Sequence, residues 1–239
     1  MMSHHLMASL RDVSILFPSF LAVFTFRGFA KSLVAKIMGD DTSSKNGFLT
    51  LNPLAHVDII GLSIILALVF FLGSMFPGEM HRSVLIILLI FMGVKWTKTV
   101  PFDVRKFKNI KSGTILTMLA SSIGSIFVAL IFLYLQKYLP VNAISIGAYK
   151  TFISIFSMII DVSVFFCVLD LLPIPPFDGA KVLQFLLPYS KQGIITWLEQ
   201  NSFIIVFVLF FVPIVSDIFF FGVSLLGALI KVLLSALVI

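Results

Sequence analysis

Long apolar runs separated by short polar clusters organise this chain. Crossing a bilayer core takes about 20 mostly apolar residues, and the backbone there must satisfy its own hydrogen bonds, so such runs are helical. Residues 57–76 and 113–136 meet that length, and 151–172 does so although Asp161 and Asp170 interrupt it. The stretch 202–239 is long enough for two short passes, broken near Pro213 and Asp217. Residues 83–94 are apolar but short, which predicts a tilted or re-entrant pass. The first segment, 13–37, is apolar up to Phe26 and then carries Arg27, Lys31 and Lys36. No small-residue cleavage site follows a short apolar core, so a cleaved signal peptide is not expected. The pattern predicts an all-α membrane protein, a multi-pass bundle of five or six transmembrane helices. It forms a single transmembrane domain over 1–239, without tandem repeats.

Composition strengthens this reading. Of 239 residues, 59% are hydrophobic and 12% charged, against roughly 45–50% and about 25% in soluble domains. The single cysteine, Cys167, excludes an internal disulfide and a cysteine-built metal site. Charge then orients the bundle. Lys95, Lys98, Arg105, Lys106, Lys108 and Lys111 face one acid, Asp103, in the loop 95–111. The positive-inside rule puts that loop in the cytoplasm, and two later crossings return 173–200 to the same side. Basic charge directly between two spans is expected to meet anionic lipid headgroups rather than nucleic acid.

A few polar groups remain unexplained by topology, and ionisable residues at membrane depth are functional candidates. Arg27 and Lys31 are one helical turn apart and share a face. Asp170 and Asp178 bracket the run LDLLPIPPFDG (169–179), where three prolines forbid a regular helix and Gly179 admits an unusual backbone. Such a broken, acid-bearing segment persists at membrane depth only when buried in protein or lining a cavity. A third polar point is LNPLAHVDIIG (51–61), with Asn52, His56 and Asp58 at the mouth of the second span. Snorkelling cations, a loop acid and a helix cap are the plainer explanations of these groups.

Three segments, in order, resemble the short bacterial site-2 proteases, zinc metalloproteases that cut substrates within the membrane. GDDTSSKNGFLTLNPLAHVDIIG (39–61) is similar to the family's loop after its first catalytic helix. VKWTKTVPFDVRKFKN (94–109) is similar to its Trp-Ala-Lys-Pro-Val-Pro segment. LDLLPIPPFDGAKVL (169–183) is similar to the run that supplies its third zinc ligand. The resemblance implies the site-2 protease core with membrane-embedded loops. It fails at the catalytic motif. Where the family carries His-Glu-x-x-His, this chain reads FRGFAKSLVAK (26–36), which puts Arg27 and Lys31 at the two ligand positions and Gly28 at the glutamate. Neither a guanidinium nor an ammonium has a lone pair to give a metal. Of the implied ligands only Asp178 is kept, and one carboxylate does not hold a four-coordinate zinc. The family's Ala-Gly-Pro-x-x-Asn on the third span reads ASSIGS (120–125), and its proline-turn asparagine is Asp170. Among His4, His5, His56 and His81, only His56 belongs to a segment expected near Asp178.

The expectation is therefore a catalytically inactive site-2 protease homologue with no zinc. It would bind membrane-protein clients, or serve as a subunit of a membrane complex or a homo-oligomer. A polar cluster of Arg27, Lys31, Asp170, Asp178, His56 and Asp58 is expected, in which the two cations take the metal's place. Two alternatives stay open: an active zinc endopeptidase with an unconventional site, and a small transport or channel component lined by the same charges. The expected location is the bacterial cytoplasmic membrane, with 95–111 and 173–200 on the cytoplasmic side.

Overall fold

A computed structural model describes residues 2–60, 63, 98–140 and 145–238. Most of the expected second span (57–76), the short pass at 83–94, His81 and the first residues of the loop 95–111 lie outside the described residues, as do the side chains of His4 and His5. Among the described residues, the regular structure is helical, with no extended strand.

Helix α1 runs from Met2 to Ile37, well before the expected start near residue 13. The stretch before the apolar run contains Leu6, Met7, Ala8 and Leu10, strong helix formers that extend the helix, while His4, His5, Arg11 and Asp12 lower its mean hydropathy. Pro18 lies inside it, and the neighbouring Ser19 hydroxyl donates to the Ile15 carbonyl at 2.7 Å. Two short helices follow, α2 (Thr42–Lys45) and α3 (Pro53–His56). Helix α4 spans Ile110–Lys137, started by the Asn109 side chain accepting from the Ser112 N–H. Helix α5 spans Ile146–Leu171, capped in the same way by Ser145, and stops where the prolines at 173, 175 and 176 exclude helical backbone. Then come α6 (Asp178–Leu186), α7 (Gln192–Gln200), α8 (Ser202–Phe211) and α9 (Pro213–Leu237).

Helices α4, α5 and α9 are long and apolar enough to cross a membrane. Helices α7 and α8, bent by 66° at their junction, reach that criterion only together. The described residues thus hold three such helices, or four with the bent pair. The expected two short passes in 202–239 become one full-length span, α9, and one short helix, α8. Proline at the first position of α9 explains why the break falls there.

The core lies between α1, α4 and α5, with α8 and α9 closing one side; Phe20, Val23, Val128, Phe166, Leu169 and Val223 are buried in it. Helix α4 turns a face of small and hydroxyl residues toward α1. A Cβ added to Gly124 would lie 2.9 Å from the Ala30 Cβ and 3.1 Å from the Phe26 carbonyl oxygen. That glycine lets the two backbones approach, as small residues do between membrane helices. Gly124 is near the middle of α4, so the first-helix segment around Arg27 is held about halfway along that helix.

Candidate functional site

The site forms where the C-terminal half of α1 meets the middle of α4 and the proline-rich turn between α5 and α6. One helical turn separates Arg27 from Lys31, and each meets a different acid. The Arg27 Nη2 lies 2.7 Å from both Asp170 oxygens and hydrogen-bonds Oδ1. Its guanidinium carbon sits over two rings, 5.1 Å from the centroid of Phe24 and 4.7 Å from that of Phe166. Ring faces are electron-rich, so this edge-to-face pair of rings gives a poorly hydrated cation further support. The Lys31 Nζ donates to both oxygens of Asp178 at 2.8 Å.

Asp178 has a third partner. The Ser121 hydroxyl, on α4, donates to its Oδ2 at 2.7 Å. Asp178 is also the first residue of α6, where the helix dipole favours a negative charge. Side-chain exposure is 12% for Arg27, 6% for Asp170, 15% for Lys31 and 18% for Asp178, so both pairs are largely withdrawn from solvent. In such surroundings an unpaired charge is far more costly than a paired one. Gly179 serves this geometry by closeness rather than by an unusual dihedral. Its φ is not positive, but a Cβ there would fall 2.4 Å from the Leu172 carbonyl oxygen.

Gly28 faces another neighbour. A Cβ built on it would lie 2.3 Å from the Nδ1 of His56. The imidazole therefore occupies the space into which any side chain at position 28 would project. His56 is 2% exposed, and its Nε2 is 2.9 Å from the Thr50 carbonyl oxygen. A carbonyl only accepts, so Nε2 carries the proton. Nδ1 is buried with no hydrogen-bond partner among the described residues. Burial pushes the imidazole below its ordinary pKa; the Thr50 bond opposes this and the charge of Lys98 adds to it. Burial thus favours the neutral ring. Asp58 is placed differently from the other candidates: its Oδ1 accepts from the Ile60 N–H at 3.0 Å in the loop beyond His56.

A buried acid that sequence reasoning passed over anchors this end of α1. Asp40 has no solvent exposure. It accepts from the Thr42 N–H and hydroxyl and, at 2.7 Å, from the Asp103 N–H. The Lys108 N–H donates to the Met38 carbonyl and the Lys98 N–H to that of His56. The segments 39–58 and 98–109 are thereby joined beneath α1. The Lys181 ammonium lies 5.6 Å from the Phe102 ring centroid, bringing α6 to the same end of the bundle.

The chain is similar to a known protein. It is 28% identical over 195 residues to the Bacillus subtilis (strain 168) protein named "Putative zinc metalloprotease YwhC", over 81% of this chain and 78% of that one. No family model and no solved structure matches the chain.

Among the described residues, the side chains gathered at this site do not fit a zinc ion. Two of the three implied ligand positions carry cations, and the third, Asp178, is already bonded to Lys31 and Ser121. Among the described residues, no three histidine, cysteine, aspartate or glutamate side chains gather where they could hold a metal. Ser121 and the Gly28–His56 contact were not legible as site features. Ser121 lies within ASSIGS, which reads as an eroded motif. Its signal is the hydroxyl spacing Thr117, Ser121, Ser125, all buried on one face of α4.

Proposed function

We propose that this chain is a multi-pass membrane protein with the site-2 protease core and no proteolytic activity, acting by holding membrane-embedded helices of other proteins. The observation that carries this reading is the Lys31–Asp178 ion pair. An ammonium stands where the resemblance implies a metal-ligating histidine, and it uses the carboxylate that would be a metal ligand. Supporting it, Gly28 removes the group that would activate water, and the His56 ring fills the space beside it. Acids and cations tie α1 to α5 and α6 as a metal would have tied them. Such a chain keeps apolar helix faces against which other membrane helices can pack while lacking the means to hydrolyse a peptide bond.

On this reading the basic segment ending at Lys111, and residues 173–200, lie on the cytoplasmic side, with Asp178 at the membrane-embedded end of that segment. The test is elemental analysis of protein purified from zinc-supplemented cells, with the Asp178→Ala variant beside it. The expected content is far below one zinc per chain in both. About one zinc per chain, lost with Asp178→Ala, would sink the proposal.

A further inference from the structure

Helix α9 is the most peripheral of the three long apolar helices. Within its most apolar stretch 17% is buried, against 50% in each of α4 and α5. Its outward residues Ile214, Ile218, Phe221 and Leu225 are between 52% and 75% exposed, and lipid alone satisfies them. Asp217, on the same outward side, is exposed, and lipid does not satisfy a carboxylate.

The depth of Asp217 follows from two contacts between α9 and α5. A Cβ at Gly227 would touch Val164 at 3.4 Å, and the Lys231 Nζ pairs with Asp161 at 2.6 Å. The numbers rise along one helix as they fall along the other, so the two run antiparallel. Asp217 lies roughly 15 Å of helix before Gly227, and Asp170 roughly 9 Å after Val164. Asp217 is therefore about 6 Å beyond the level of Asp170, toward the proline turn and Asp178. Asp178 is bonded to Ser121, which lies roughly 16 Å into α4. That level is inside a hydrocarbon core of about 30 Å. The helix dipole does not account for the acid, because Asp217 comes after the first turn of α9. Among the described residues it has neither an ion pair nor a hydrogen bond, unlike Asp161 on the neighbouring helix.

We propose that the outward face of α9 around Asp217 docks a transmembrane helix of another protein that carries a lysine or arginine near its middle. The partner's charge follows by complementarity, since a carboxylate at this depth needs a cation brought to it within the bilayer. Ser224 and Ala228, exposed farther along the same helix, are small enough for a close approach. The inference rests on the reading that this chain binds membrane helices, and adds the surface and the chemistry of the client.

The test uses the full chain, co-reconstituted in neutral-lipid vesicles with leucine-rich transmembrane peptides bearing a central Lys, Leu or Glu. Binding is read by energy transfer from a label at the protein's N-terminus. The central-Lys peptide is expected to bind about tenfold more tightly than the central-Leu peptide. Asp217→Leu abolishes that difference, and Asp217→Lys moves the preference to the central-Glu peptide. Asp217→Leu is expected to melt no lower than the native chain, because among the described residues the acid has no partner to lose. A lowered melting temperature would mean a partner within the chain and overturn the proposal. Self-association of the native chain that Asp217→Leu abolishes would make a second copy the occupant and overturn it too. Equal binding of the Lys and Leu peptides, unaffected at Asp217, overturns this surface while helix binding stands. If no peptide binds, the surface fails together with the reading on which it rests.

Discussion

At the scale of single residues, the site is defined by which charges share a bond. The sequence supplies two cations one turn apart and two acids flanking a proline turn. It does not say which meets which, because the path of residues 171–177 decides that. The structure divides them, Arg27 to Asp170 and Lys31 to Asp178, so substitutions should couple within each pair. Lys31→Met leaves a largely buried carboxylate with only Ser121, and should destabilise by about 3–5 kcal/mol. Asp178→Asn should do similar damage, and the double variant should recover about 0.5–3 kcal/mol of the summed loss. Unfolding in detergent, followed by tryptophan fluorescence, gives the cycle; strict additivity would mean that Lys31 does not depend on Asp178. Combining Arg27→Met with Asp178→Asn should come closer to additivity.

His56 supplies a second residue-scale prediction, with a definite sign. Its folded-state pKa is depressed by burial, so below about 6.5 the unfolded chain takes up a proton that the folded chain refuses. The stability it contributes is complete above that pH and lost as pH falls toward the folded-state value. Thermal unfolding at pH 7.5 and 5.5 should show a drop in the native chain that is smaller in His56→Gln. Equal drops would remove His56 from the account. Gly28→Ala should destabilise by about 1–3 kcal/mol through overpacking against the ring, and His56→Ala should relieve most of that. His56 and Gly28 were each visible in the sequence as departures or candidates. Their contact was not, since it depends on how segment 50–58 folds back on α1.

At the scale of elements, apolar runs located α4 and α5 well: 113–136 became Ile110–Lys137, and 151–172 became Ile146–Leu171. Hydropathy reports what a helix does in lipid, so it missed the polar start of α1 and the capped first turns of α4 and α5. It also divided 202–239 too evenly, because Asp217 reads as an interruption although α9 continues through it. The α1–α4 contact depends on Gly124 having no side chain. Gly124→Val should force the helices apart and lower stability by about 1–3 kcal/mol. A neutral effect in the same melting assay would show that the contact tolerates separation. Gly222, where an added Cβ would meet nothing within 4 Å among the described residues, is the control position.

At the scale of the whole molecule, the claim is that ion pairs, rather than a metal, hold α1 against the turn between α5 and α6. A ligand that binds only the folded state stabilises it, by about 2.7 kcal/mol at a hundredfold excess over its dissociation constant. A resident metal would therefore raise the melting temperature, and stripping it would lower that temperature. The most direct measurement is the thermal midpoint of the purified chain in detergent, untreated, after exhaustive chelation, and after adding back zinc. If ion pairs take the metal's place, the midpoint is the same in all three, with a large fall on Lys31→Met. A midpoint that drops on chelation, returns with zinc, and loses that response in Asp178→Ala would contradict that claim.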